Sequence, residues 1–166
     1  MTEKNLNCVH QMDYWEEECP HCDGLQKCRV KPPQITEFFM PMIPPTKTHQ
    51  EKQVRVVNDK PQFYEPAEVK AVRAKLEAHL SWHIPKEKYT GAVRLITKWC
   101  FPITGKHKNG EYKTTKPDTD NLQKMLKDVM TSLGYWTDDA LVASEIIEKF
   151  WAEVPGIYIR IEPLGS

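Results

Sequence analysis

Three features of the 166-residue chain predict an α/β (α+β) domain, a mixed β-sheet with two main helices packed on it. Short β-branched or alternating runs are bounded by Pro, Gly, Asn and Asp, as strands are. Two longer stretches place apolar residues at three- and four-residue spacing, the helical period. Hydrophobic residues make up 40 % of the chain, enough for an ordinary core. The order reads β-β-β-α-β-α-β-β, with no internal repeat.

Glu37-Phe38-Phe39-Met40 is a short apolar run stopped by Pro41 and reads as the first strand. After a proline-rich loop, Gln53–Val57 and Gln62–Tyr64 flank Asn58-Asp59-Lys60-Pro61, a hairpin signal. Pro66 suits the first turn of a helix running to about His79, with Val69, Val72, Leu76 and Leu80 on one face. Ala92–Trp99 reads as a strand with Val93, Leu95 and Thr97 on a common face. Asp120 has the N-cap residue type, with Gln123 three positions on as in a capping box. Leu122, Met125, Leu126, Val129, Met130 and Leu133 then form a continuous stripe that Gly134 ends. Leu141–Trp151 and Ile157–Ile161 close the chain as strands, with Val154-Pro155-Gly156 turning between them.

Residues 1–30 are a Cys-rich extension, residues 31–34 a linker around Lys31-Pro32-Pro33, and residues 35–166 the main domain. The formal net charge is zero, which excludes a uniformly basic nucleic-acid binder. That zero is an average. The extension carries three basic and six acidic side chains, whereas Lys86 to Lys116 holds eight Lys or Arg against two Glu. Such a run is either a solvated face or an anion-binding one. No apolar run approaches the ~20 residues that span a bilayer, and the amino terminus is too acidic for a signal peptide. A cytoplasmic protein with no membrane partner is expected. In that setting Cys8, Cys19, Cys22 and Cys28, four of the five cysteines, read as ligands of a structural Zn²⁺ rather than as disulfides. Cys19-Pro20-His21-Cys22 has zinc-knuckle spacing, with His10 and His21 as substitute ligands. The net negative charge of the extension points to a protein partner rather than to phosphate.

Lys116-Pro117-Asp118-Thr119-Asp120-Asn121-Leu122-Gln123-Lys124 carries the chemistry. Two carboxylates one residue apart, where an extended stretch enters a helix, can converge on one cation. Mg²⁺ takes one or two protein carboxylates and fills its remaining positions with water and substrate phosphate. The helix amino terminus adds positive partial charge suited to a phosphate. Lys124, one turn beyond Asp120, can hold a phosphate oxygen or stabilise charge on a leaving oxygen; its plain alternative is a surface pair with Asp120. Asp138 and Asp139 open the next strand, where adjacent aspartates also serve as simple turn residues.

KPDTDNLQK, an amphipathic helix ending in LGYW, then DDALV and a strand together resemble the RusA-like Holliday-junction resolvases. The likeness spans about residues 35–163, including the PMIPPTKTHQ loop and the closing EKFWAEVPGIYIRIE strands. It implies a homodimeric endonuclease that nicks two symmetry-related strands of a four-way DNA junction, usually in phage or prophage DNA processing. The family's catalytic acidic residues fall on Asp118, Asp120 and Asp139, with Mg²⁺ between them, and its lysine on Lys124. Phosphate contacts are expected from Lys47, Lys52, Lys106, Lys108, Lys113 and Lys116; Tyr112, His107 and His49 either stack beside unpaired bases or, as the plainer role of each, simply pack. The extension is extra to the simplest family member. A site within one subunit requires the chain to double straight back after Gly134, with Leu141 and Val142 packing beside the helix; the alternative is Asp139 supplied across the dimer.

Overall fold

Alternation along residues 93–102 organises the fold: Val93, Leu95, Thr97, Trp99 and Phe101 are buried, and the residues between them are not. The computed structural model describes residues 34–46, 53–57, 60–64 and 66–165, with the strands between 53 and 64 described by backbone alone. The cysteine extension lies outside the described residues.

The elements are β1 (Thr36–Pro41), β2 (Gln53–Val57), β3 (Lys60–Tyr64), α1 (Ala67–Leu80), β4 (Val93–Pro102), α2 (Thr119–Leu133), β5 (Val142–Ala152) and β6 (Gly156–Pro163). This is the expected order. A mixed four-stranded sheet runs β1-β6-β4-β5, with β4 and β5 parallel and the other pairs antiparallel, while β2 and β3 form a separate antiparallel pair. Parallel strands need a crossover, and α2 is that crossover between β4 and β5.

One face of the sheet carries the core. Val93, Leu95, Trp99 and Phe101 of β4 join Ile157, Ile159 and Ile161 of β6 and Met40 of β1. The helices bring Val69, Leu76 and Leu80 from α1, and Leu122, Met125, Leu126, Val129 and Met130 from α2. Each such side chain contributes about 1.5–3 kcal/mol by leaving water. Thr97 is polar yet fully buried, and donates to Gln123 Oε1 at 2.9 Å while accepting from Trp99 Nε1 at 3.2 Å.

The structure shifts one expected detail, the cap of α2, and sets a strand order that the sequence leaves open. Helix α2 is capped by Asp118 rather than Asp120, and the Asp118 side chain makes no capping bond. Gln123 cannot reach back to complete a capping box because it points inward to Thr97. Strand β6 does not lie beside β5; it crosses β4 to slot between β4 and β1. Gly156 permits that entry: a Cβ there would sit 2.1 Å from Phe39 Cζ and 2.7 Å from the Met40 carbonyl oxygen. At the other end of α2, Gly134 closes the helix at φ 83°, its N–H donating to the last-turn carbonyls. Among the described residues no helix is long and apolar enough to cross a membrane.

Candidate active site

Asp118 and Asp120 stand together at the start of α2, Asp118 in extended backbone and Asp120 in the first turn. Both are exposed, and so is Lys124 one turn further along. Among the described residues no hydrogen bond or ion pair occupies these three side chains. Their separation along the axis from Asp118 to Lys124 is about 9 Å at 1.5 Å per residue. Two carboxylates and an ammonium therefore face solvent within a turn and a half, beside N–H groups that carry the positive end of the helix dipole.

The loop leading into this pair is held from below by two lysines. Lys149, on β5, donates to the carbonyls of Thr115 at 3.0 Å and Pro117 at 2.6 Å. Lys113 donates to the Thr115 carbonyl at 3.2 Å, to the Thr115 hydroxyl, and to the Lys116 carbonyl at 2.7 Å. Its ammonium lies 5.1 Å from the Phe101 ring centroid and 4.6 Å from that of Trp151. Burial, with the Lys149 ammonium nearby, pulls Lys113 below the ordinary lysine range. The peptide between Lys116 and Pro117 is cis.

Asp139 is elsewhere. The chain leaves α2 through Tyr135 and Trp136, both fully buried, and the Tyr135 carbonyl accepts from the Tyr89 N–H at 2.9 Å. The Tyr135 phenol donates to the Leu80 carbonyl at 2.8 Å, and burial pushes it above its ordinary range. These anchors draw the chain across the end of the helix rather than back along it. Asp138 caps a short 3-10 turn, Asp139–Leu141, by accepting from the Ala140 N–H at 2.8 Å. Only from Val142 does the chain return beside α2. Lys127 of α2 meets Glu145 of β5 at 2.6 Å, and Lys149 reaches the residue before Asp118. The doubling-back expected from the sequence occurs, but it begins after Asp139. What it brings to Asp118 is Lys149. Asp139 stays at the carboxyl end of α2, about 22 Å from its start over fifteen residues. Consistently, among the described residues no three His, Cys, Asp or Glu side chains gather as a metal site.

Lys106, Lys108 and Lys116 are exposed on the loop between β4 and α2, where a phosphate can reach them. Lys113 was expected with them, but only 7 % of it is exposed and its three N–H donors are committed to the loop. His107 stacks on Trp151 with ring centroids 4.6 Å apart, and its Nδ1 lies 2.8 Å from Glu111 Oε1. The Lys108 backbone N–H and His107 together hold the Glu111 carboxyl below its ordinary range. Tyr112 is 61 % exposed, tilted against Phe150 and donating to Glu148. Lys47, His49, Lys52, Cys8, Cys19, Cys22 and Cys28 lie outside the described residues.

Lys149 was missed from sequence, although a signal was present. Ile147 and Trp151, two residues either side, pack inward, so a lysine between them on the same strand face must be satisfied by the protein.

The profile of endodeoxyribonuclease RusA matches residues 42–162. Over 108 residues the chain is 34 % identical to the crossover junction endodeoxyribonuclease rusA of Lactococcus phage r1t, covering 64 % of this chain and 79 % of the phage protein. Over 120 residues it is 29 % identical to the protein YqaN of Bacillus subtilis (strain 168), covering 66 % of this chain and 84 % of that protein. The matched span takes in β4, α2, β5 and the connections between them, which together hold Asp118, Asp120, Asp139 and the lysines around them. With a match across well over half of its length, and its exposed carboxylate pair inside that match, the chain belongs to the RusA family of endodeoxyribonucleases.

Proposed function

We propose that this nuclease resolves four-way (Holliday) DNA junctions as a Mg²⁺-dependent homodimer, by paired symmetric nicking in recombination, repair or phage DNA processing. The observation that carries the reading is the exposed pair Asp118 and Asp120 at the head of α2, with no protein partner among the described residues. Two hard oxygen donors facing solvent match what Mg²⁺ takes from a protein. When bound, such an ion polarises the scissile phosphate and lowers the pKa of the attacking water.

The chain's own residues do the rest. The N–H groups at the start of α2 favour the phosphate's negative charge there. Lys124 stands ready to meet charge that builds on the leaving oxygen. Lys106, Lys108 and Lys116 hold neighbouring phosphates and set the register of the DNA without reading its sequence. A third carboxylate comes from the partner subunit's Asp139, because within one subunit it lies a helix length away. A two-fold dimer then has two sites, each needing both chains, which suits simultaneous cutting of symmetry-related strands.

The test is cleavage of four-way junction, flap and linear duplex DNA of matched sequence, with and without Mg²⁺. Paired nicks in the junction that vanish without Mg²⁺ are expected. Metal-dependent cutting of all three at equal rates would reduce the protein to an unspecific nuclease. Tight junction binding with no cutting in Mg²⁺ or Mn²⁺ would make it a DNA-binding adaptor on the same fold.

A further inference from the structure

The loop before Asp118 raises a hydrogen-bonding question that the proposed chemistry does not answer. Residues 113–117 belong to no helix or strand, yet the carbonyls of Thr115, Lys116 and Pro117 all turn inward. Inward carbonyls need donors. Among the described residues no backbone N–H outside the regular elements serves them. The donors are the ammonium groups of Lys113 and Lys149, which share the Thr115 carbonyl and divide the other two.

The arrangement is costly, since two like charges converge on one oxygen and Lys113 is buried. Ammonium-to-carbonyl bonds offset that cost, being roughly twice as strong as neutral ones. The benefit is geometric. Pro117 is joined directly to Asp118, so the 2.6 Å bond from Lys149 ties the entry of α2 to β5, the edge strand of the sheet. Asp118 itself makes no capping bond, which leaves its backbone direction to be set from behind.

We infer that Lys149, seconded by Lys113, is a positioning residue for the metal-holding pair: it fixes the Thr115 and Pro117 carbonyls against β5 and so aims Asp118 and Asp120. The inference rests on the proposed role of that pair. The two ammonium groups reach the loop from the protein side and bind its carbonyls, leaving the carboxylate oxygens of Asp118 and Asp120 open to solvent. Groups that orient metal ligands are commonly worth 10–100-fold in metal affinity or activity.

The experiment compares the intact wild-type protein with Lys149→Met, Lys149→Arg and Lys113→Met. Amide hydrogen exchange and a Mg²⁺ titration, followed by NMR at the Asp118 and Asp120 amides, are the readouts. Lys149→Met should speed exchange across residues 115–122 at least about tenfold without changing β4 or β6, and raise the Mg²⁺ midpoint by about tenfold or more. Junction affinity without metal should stay within about twofold, since Lys149 spends its donors on carbonyls rather than on phosphate. Lys149→Arg, which keeps charge and donors, should recover most of both losses, and Lys113→Met should show a smaller version of them. Unchanged exchange and an unchanged midpoint in Lys149→Met would overturn the inference. So would an arginine variant as defective as the methionine one, or exchange rising throughout the sheet, which would mark general destabilisation. Wild-type protein that neither responds to Mg²⁺ nor cuts would defeat the nuclease reading instead, while the exchange comparison would still decide whether Lys149 orders the loop.

Discussion

Mixed dimers give the sharpest consequence of where Asp139 sits. Two routes through the structure give the same separation. Fifteen residues of α2 span about 22 Å between the Asp118 end and the end from which Asp139 follows. Independently, Lys149 is level with Pro117, and the seven steps back to Val142 cover about 23 Å at 3.3 Å each. Oxygens sharing one Mg²⁺ lie about 2.1 Å from it, so their carboxylates must come within about 5 Å of one another. No side-chain rotation closes a gap four times as wide. As homodimers, Asp118→Asn, Asp120→Asn and Asp139→Asn should each lose cleavage by at least about a thousandfold, equivalent to about 4 kcal/mol, while still binding junctions. A purified heterodimer of one Asp118→Asn subunit and one Asp139→Asn subunit should behave otherwise. One of its two sites pairs both altered residues, and the other keeps all three carboxylates. On a four-way junction it should nick a single strand at near the wild-type rate per site and leave the opposing strand whole. A heterodimer as inert as its parents would refute the reasoning and return each site to a single chain.

Gly156→Ala should destabilise the protein by about 2 kcal/mol or more, because the added methyl meets the Met40 carbonyl inside the β1–β6 ladder as well as the Phe39 ring. At about 3 °C per kcal/mol the thermal midpoint should fall by 6 °C or more, and an unchanged midpoint would contradict the close approach of β1. Junction affinity should fall linearly in log–log terms as salt rises, and Lys106→Ala, Lys108→Ala and Lys116→Ala should each lower the slope by up to about 0.9. Three variants with the wild-type slope would show those lysines merely solvated. Metal analysis of protein purified without chelator should find about one Zn²⁺ per chain, held by Cys8, Cys19, Cys22 and Cys28. Metal-free protein with freely reactive Cys19 and Cys22 would end that expectation.

Most of the fold was legible because its signals are local. Val93, Leu95 and Thr97 alternate as a half-buried strand must, and the stripe from Leu122 to Leu133 gives α2 its buried face. Gly134 stops that helix for the reason any glycine at positive φ does. The order in which strands pair was not legible. It depends on β6 crossing β4 to reach β1, and the cause, a close approach of Phe39 and Met40 to Gly156, joins residues more than a hundred positions apart. The capping residue was misplaced for a related reason. Gln123 looks like half of a capping box until Thr97, far off in sequence, claims its side chain.

The acidic pair was readable because Asp118 and Asp120 are neighbours in the chain and the helix that holds them announces itself. Asp139 and the lysines were harder, since their roles depend on the direction in which the crossover runs. A parallel β4–β5 pair forces α2 to travel back against both strands. Whatever opens β5 must therefore lie at the far end of α2 from whatever opens α2. Residues two-thirds of the way along β5, by contrast, must return to the level of Asp118. Once β4 and β5 are known to be parallel, the distant Asp139 and the nearby Lys149 are two results of one constraint. The loop lysines divide on the same ground. Lys106, Lys108 and Lys116 project from the connection between β4 and α2 into solvent, whereas Lys113 passes over Trp151 of the returning strand and turns its charge inward. A count of eight basic groups between residues 86 and 116 could not separate them, because net charge carries no direction.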